Sequence, residues 1–363
     1  MWKKKLGIAA GILAVIVILL WGRKAYLDAH YFDNYDPGAP LNIATIETTE
    51  AGNSTPEEGY TVTKFTFDGF KGEKVPSLIC IPMKDPGKKR PAVIFLHGIG
   101  QDKDFVRVIA PPFMRSGFAL VSFDQFTQGE RKIRKKSLMS GLSDFTERPA
   151  KTVNETRRLV DYLGTRDDID PQRIYLVGAS YGAVTGSTVL AMDKRVRAGV
   201  LVYGGGDFGK LLDSYANHLA VAVGLGMIDG KGLNPEKPPL PTLSASQEWK
   251  IGVVLGCAIP LGRYLFGVAD PIHYADEIAP TPVYFQNGLY DVLVPAAAGK
   301  ALQDAAREPK KITWYESDHV GINVKDTQRV LADGLNWLLE QDNPLRAPED
   351  KAPALTNFDL DKT

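Results

Sequence analysis

Three short stretches hold the residues best suited to chemistry. GASYG (178–182) sets Ser180 between two glycines, LYDVLVP (289–295) carries Asp291, and SDHVGI (317–322) carries His319. A serine hydroxyl is a weak nucleophile at neutral pH. It needs a base within hydrogen-bond reach, and the base needs an orienting acid. G-x-S-x-G alone is a weak signal in a chain with 35 glycines, where a serine can simply be a small polar residue at a bend. The order serine, aspartate, histidine strengthens it, because one specific fold uses that order. There are five histidines in the chain, so one placed just past a strand is informative. The bland alternatives are a surface-loop histidine at 319 and a turn or helix-cap aspartate at 291. Asp207, after the run AGVLVYGG, is the reserve acid. Asp318 adjoins His319, but sequence neighbours seldom face each other.

Such groups must sit at the carboxyl ends of parallel strands to converge. The pattern supplies those strands. TVTKFTF and VPSLICIPM read as an antiparallel hairpin around the turn DGFKGEK. From there strand and helix alternate, which predicts an α/β fold with a mostly parallel, doubly wound sheet. AVIFL (92–96), ALVSFD (119–124), RIYLVG (173–178), AGVLVYGG, PVYFQNG and KITWYE (311–316) read as strands. Helices are predicted over 102–117, broken at Pro111 and Pro112, over TVNETRRLVDYLGT, over 181–193 and over about 325–341. The third strand-to-helix turn is GASYG. There Ser180 opens a helix whose first N–H groups are unpaired, so the N–H of Tyr181 can face a developing oxyanion. The second donor is predicted at the N–H of Ile99, in the turn HGIG (97–100) after AVIFL. Gly98 and Gly100 shape that turn and His97 supports it.

Residues 207–275 separate two strands by more than an ordinary connection and read as an inserted, mostly helical cap. Pro260 and Arg263 argue against a membrane span within WKIGVVLGCAIPLGRYLFGV. Residues 23–59 are polar, contain Pro and Gly, and read as a linker. The main α/β domain then spans 60–342, and 343–363 reads as a loose polar tail. Residues 1–22 differ in kind. MWKKK precedes a run without charge from Leu6 to Gly22, close to the ~20 residues a spanning helix needs. This predicts an N-terminal transmembrane helix, an uncleaved signal anchor; a cleaved signal peptide is the alternative. Lys3, Lys4 and Lys5 outweigh Arg23 and Lys24, which puts the N-terminus in the cytoplasm and the domain in the periplasm or outside the cell.

With 363 residues, 43 basic and 43 acidic side chains and no formal net charge, the chain lacks the basic excess of a nucleic-acid binder. Cys80 and Cys257 are too far apart to form a metal spacing, and Cys80 sits in an apolar strand, where a buried inert thiol is expected. GERKIRKKS (129–137) reads as a solvated loop. The sharper alternative is contact with anionic lipid.

HGIG, GASYG, NGLYDVLVP and SDHVGI, in this order and at these intervals, resemble the α/β-hydrolase superfamily over roughly residues 60–340. Within it the chain is similar to the dienelactone hydrolase and acetyl xylan esterase-like branch, and to the hydrolase domain of prolyl oligopeptidases. SFDQFTQGER (122–131) resembles the loop after the fourth strand in that branch. The resemblance implies Ser180 as nucleophile, Asp291 as the acid and His319 as the base. A dienelactone hydrolase proper carries cysteine as nucleophile, so Ser180 favours ester or peptide cleavage. The expected function is a carboxylic ester hydrolase acting on a small-molecule ester, with no metal or organic cofactor required. A prolyl oligopeptidase-type peptidase is the first rival, but the linker is too short for a propeller. A non-catalytic, membrane-tethered binding protein is the second.

Overall fold

The computed structural model describes residues 2–52, 58–132, 138–214, 218–219, 242–321, 323–356 and 358. At 2–10, 13, 138–145, 257, 258, 261, 265 and 266 it describes the backbone alone. The strands are β1 (Ala44–Ala51), β2 (Tyr60–Asp68), β3 (Lys74–Pro82), β4 (Arg90–Leu96), β5 (Ala119–Phe123), β6 (Ile169–Ala179), β7 (Val196–Val202), β8 (Val283–Gly288) and β9 (Lys310–Tyr315). The helices are α1 (Trp2–Ala29), α2 (Phe105–Arg115), α3 (Leu138–Thr165), α4 (Tyr181–Met192), α5 (Phe208–Leu212), α6 (Ala245–Phe266), α7 (Ala296–Ala305) and α8 (Val324–Asp342).

One nine-stranded sheet runs β1-β2-β3-β5-β4-β6-β7-β8-β9. The β1, β2 and β3 pairings and the β3–β5 pairing are antiparallel; from β5 through β9 the sheet is parallel. β4 shows why the sheet is covered on both faces. Ala92, Ile94 and Leu96 enter one core cluster, and Val93 and Phe95 enter the other, as a period of two requires. The first cluster takes Val153, Leu159, Val160 and Leu163 from α3. The second takes Val330, Leu331, Leu335, Leu338 and Leu339 from α8. Each set recurs at three- and four-residue intervals, so one apolar stripe of each helix is buried.

Several expectations need correction. Residues 23–59 are not all linker: α1 continues to Ala29, and Ala44–Ala51 pair with β2 as an edge strand. Almost every residue of β1 is exposed, so it carries no apolar alternation to betray it. Pro111 and Pro112 lie inside α2 and do not break it. The tail is docked: Phe358 is buried against Phe113, and Asn336 exchanges hydrogen bonds with the Leu355 backbone. The stretch expected as a solvated loop is solvated only in part: Glu130 and Lys132 are exposed, whereas the Arg131 side chain is buried in an ion pair with Glu155; residues 133–137 lie outside the described ones. Cys80 is buried as expected, and burial pushes its thiol pKa up to about 12.

The cap is helical at α5 and α6 where it is described, and 215–217 and 220–241 lie outside the described residues. The membrane-spanning helix expected at 1–22 gains no support. A helix forms there, but among the described residues none is long and apolar enough to cross a membrane. Part of that expectation falls on side chains outside the described ones. Those of Val15 to Trp21 are exposed.

Candidate active site

Every residue of the site follows the carboxyl end of a strand. β4 leads into His97–Gly100, β5 into Asp124–Arg131, β6 into Ser180, β7 into Tyr203, β8 into Asp291 and β9 into His319. Because these strands are parallel neighbours, their ends form one continuous rim. The β4–β6 register pairs Leu96 with Gly178, so Gly98 and Ser180 stand level across the rim.

Ser180 has φ 54° and ψ −118°, a left-handed φ that a non-glycine residue rarely adopts. Three bonds hold it there: its N–H donates to the Val202 carbonyl (2.8 Å), and its own carbonyl accepts from the N–H groups of Ala183 (2.9 Å) and Val184 (3.1 Å). The flanking glycines have a steric reason. A Cβ at Gly178 would collide with the Gly182 carbonyl, and one at Gly182 with the Leu96 carbonyl. The turn is sharp enough that only glycine fits on either side.

The structure brings the three predicted side chains together. Ser180 Oγ donates to His319 Nε2 at 3.0 Å, and His319 Nδ1 donates to Asp291 Oδ2 at 2.7 Å. The partners assign these proton positions: Asp291 is an acceptor, so Nδ1 carries the hydrogen. The other carboxylate oxygen of Asp291 accepts from the N–H groups of Leu293 and Val294, both at 2.8 Å, which fixes the carboxylate plane. Asp318 does something else. Its Oδ1 accepts from the N–H of Val292 (3.4 Å) and of His319 (3.0 Å), pinning the two loops to each other. Asp207 does not approach His319. It caps α5 and pairs with Arg263 at 2.6 Å.

In the HGIG turn, the Gly98 N–H donates to Gln101 Oε1 (3.1 Å) and the Gly100 N–H to Gln128 Oε1 (2.6 Å). Neither bond uses the N–H of Ile99. Tyr181 is the first residue of α4, so its N–H has no carbonyl within the helix. His97 is fully buried and braces this turn. Its Nδ1 donates to the Gly98 carbonyl (2.9 Å), its Nε2 accepts from Gln125 N–H (3.5 Å), and burial lowers its pKa, favouring the neutral ring.

Two groups gave no role in the sequence. Gln125 and Gln128 stand in SFDQFTQGER, where a loop resemblance was visible but no function for the glutamines. Tyr203 had no signal at all, yet its hydroxyl bonds Ser317 Oγ beside the histidine. Among the described residues no cluster of His, Cys, Asp and Glu could hold a metal ion. Open clefts of about 440 and 500 Å³ lie elsewhere, one along α7 and one between α1 and α6, and none of the three site side chains lines them.

The sequence profile of a family described as "alpha/beta hydrolase fold" matches residues 91–220. No curated protein sequence matches the chain. Solved structures do. An acetyl xylan esterase from Paenibacillus sp. R4 is 17% identical, with 84% of this chain and 89% of that one covered and a TM-score of 0.57. Acetyl xylan esterase 1 from Thermoanaerobacterium sp. JW/SL YS485 is 18% identical, with 87% and 93% covered and a TM-score of 0.58. The alpha/beta hydrolase GrgF from Penicillium sp. sh18 is 17% identical, with 82% and 99% covered and a TM-score of 0.50. At these identities the likeness is one of fold. Sheet order and the shared architecture show an α/β-hydrolase fold, and the matched profile agrees with it over residues 91–220.

Proposed function

We propose that the protein is a serine hydrolase that cleaves a carboxylic ester through Ser180, His319 and Asp291. The observation that carries this reading is the unbroken hydrogen-bond line from Ser180 Oγ through His319 to Asp291. His319 Nε2 takes the hydroxyl proton as Oγ attacks the ester carbonyl carbon. The carbonyl electron pair moves onto oxygen, where the N–H groups of Ile99 and Tyr181 stabilise it. Collapse expels the alcohol, which leaves with the proton from His319. Water, deprotonated by His319, then releases the acid and restores Ser180. Asp291 holds the ring and stabilises its cationic form throughout.

Preference for an ester over a peptide draws on two similar structures named as acetyl xylan esterases. The exposed side chains of Ile99, within the oxyanion turn, and of Leu289 and Tyr290, just before Asp291 in sequence, favour an apolar substituent on the substrate. The decisive experiment labels the full-length chain with a fluorophosphonate, with Ser180→Ala as control. Labelling only of the wild type is expected, and an unlabelled wild type overturns the reading. Turnover of short-chain esters against aminoacyl amides then separates esterase from peptidase.

We also propose that the chain is exported. The support is the sequence of its first residues, three lysines followed by the uncharged Leu6–Gly22 run. Protease accessibility in intact cells, with the N-terminus of the mature chain sequenced, tests export and shows whether the segment is retained. Full protection from protease would defeat the proposal.

A further inference from the structure

We infer that Gln128 is a positioning residue for the oxyanion-stabilising N–H of Ile99; the inference rests on the Ser180 reading above. The turn that offers the Ile99 N–H is held from both sides. On one side Gln101 Oε1 takes the Gly98 N–H, and the Gly98 carbonyl accepts from His97 Nδ1. On the other, Gln128 Oε1 takes the Gly100 N–H at 2.6 Å, the shortest of these bonds. Gly100 has φ +85°, and within the turn itself the reversal is closed by one long bond, from the Gln101 N–H to the Gly98 carbonyl at 3.4 Å. Gln128 supplies that anchor from a different loop, the one after β5. Without it, the far side of the peptide carrying Ile99 keeps only that long turn bond.

The arm is itself rigid. Gln128 is buried, and its N–H donates to the Gln125 carbonyl (2.9 Å). The next residue, Gly129, has φ +53°, and a Cβ there would strike the Asp124 carboxylate. That carboxylate is fully buried and organises the loop. Its Oδ1 accepts from Lys103 N–H (2.9 Å) and its Oδ2 from Glu130 N–H (2.8 Å). The Lys103 ammonium lies 3.3 Å from Asp124, 2.6 Å from Glu130 and 3.1 Å from Asp104. Burial works to lower the lysine pKa, but the carboxylates outweigh it and hold the ammonium charged. An ion cluster built on the buried pair Lys103–Asp124 therefore fixes the loop, the loop fixes Gln128, and Gln128 fixes the oxyanion turn. Such donors are valuable because they are in place before charge develops.

The test uses the full-length protein, a p-nitrophenyl ester and a trifluoromethyl ketone, whose serine adduct places an oxyanion in the same hole. In Gln128→Met, kcat and kcat/KM should fall together by about 10- to 100-fold. Affinity for the ketone should weaken by a similar factor, and the pH dependence of kcat/KM should keep its midpoint, since His319 is untouched. Gln128→Asn draws the acceptor back by one carbon and keeps the amide; it should give the same pattern if the methionine variant does not fold. Unchanged ketone affinity in a folded variant, with or without a loss of kcat, overturns the inference. Absence of fluorophosphonate labelling in the wild type would instead defeat the Ser180 reading itself.

Discussion

Tyr203 meets His319 edge-on, with ring centroids 5.8 Å apart and planes at 86°. Its hydroxyl also bonds Ser317 Oγ, two residues before the histidine. Gly288 completes the packing, because a Cβ there would strike both the Tyr203 ring and the Ser317 carbonyl. The imidazole is thus held by an aromatic edge as well as by Asp291.

Tyr203→Phe keeps the ring contact and removes the hydroxyl. One hydrogen bond contributes about 1 kcal/mol, so kcat/KM should fall about 5-fold. Tyr203→Leu removes both contacts and should fall further, with a displaced midpoint in the pH dependence of kcat/KM. Steady-state kinetics across pH checks this. Wild-type profiles in both variants would show that the ring only fills space.

Asp291 and Asp207 were rival acids in the sequence, and only Asp291 reaches His319. Asp291→Asn should cost about 10⁴-fold in kcat by favouring the wrong imidazole tautomer. Asp207→Asn should leave kcat within about 3-fold of wild type, as expected for a residue that caps a helix and pairs with Arg263 away from His319. Equal losses in the two variants would contradict this assignment.

Gly182→Ala tests the steric account of the turn. The added methyl would collide with the Leu96 carbonyl, a backbone atom that cannot rotate away. A loss of more than about 3 kcal/mol is expected, read as a lowered urea midpoint, and low soluble yield would agree with it. Gly164→Ala, where a Cβ meets open space within α3, should be neutral or slightly stabilising. A Gly182→Ala midpoint equal to that of Gly164→Ala would contradict the account.

Asp342 predicts an acid-sensitive joint far from the site. Its buried carboxylate accepts from Arg173 (2.7 and 2.8 Å), Arg346 and the Tyr175 hydroxyl (2.9 Å). Burial works to raise its pKa, but Arg173 and Arg346 outweigh it and hold the carboxyl below the usual range. The folded pKa is therefore below the unfolded one. The associated stability is present above the unfolded value of about 4 and is lost as pH falls through the folded value. Asp342→Asn should cost about 3 kcal/mol at pH 7, and its deficit relative to wild type should shrink below about pH 4. Urea melts at both pH values decide it. A deficit independent of pH would contradict the ionic account.

Much of the fold was legible because its signals are local. The α3 and α8 stripes, the apolar parallel strands and the strand-to-helix turn at Ser180 each lie within a dozen residues. The edge strand Ala44–Ala51 was not legible, since both its faces are exposed and it has no apolar alternation. The docked tail was missed for a related reason. Its anchors are scattered: Phe358 meets Phe113 on a distant helix, and the Leu355 backbone bonds Asn336 on α8.

The sequence by itself determined the candidate chemistry of the site, through the type and order of Ser180, Asp291 and His319 and the glycines that permit the turn. It could do so because each residue follows its own strand directly. Tertiary structure decided which aspartate meets the histidine, which N–H of the HGIG turn is left unused, and that Gln128 and Tyr203 brace the two halves of the site. Those contacts join strand ends made neighbours by the order β5-β4-β6-β7-β8-β9, and packing sets that order, not any spacing along the chain.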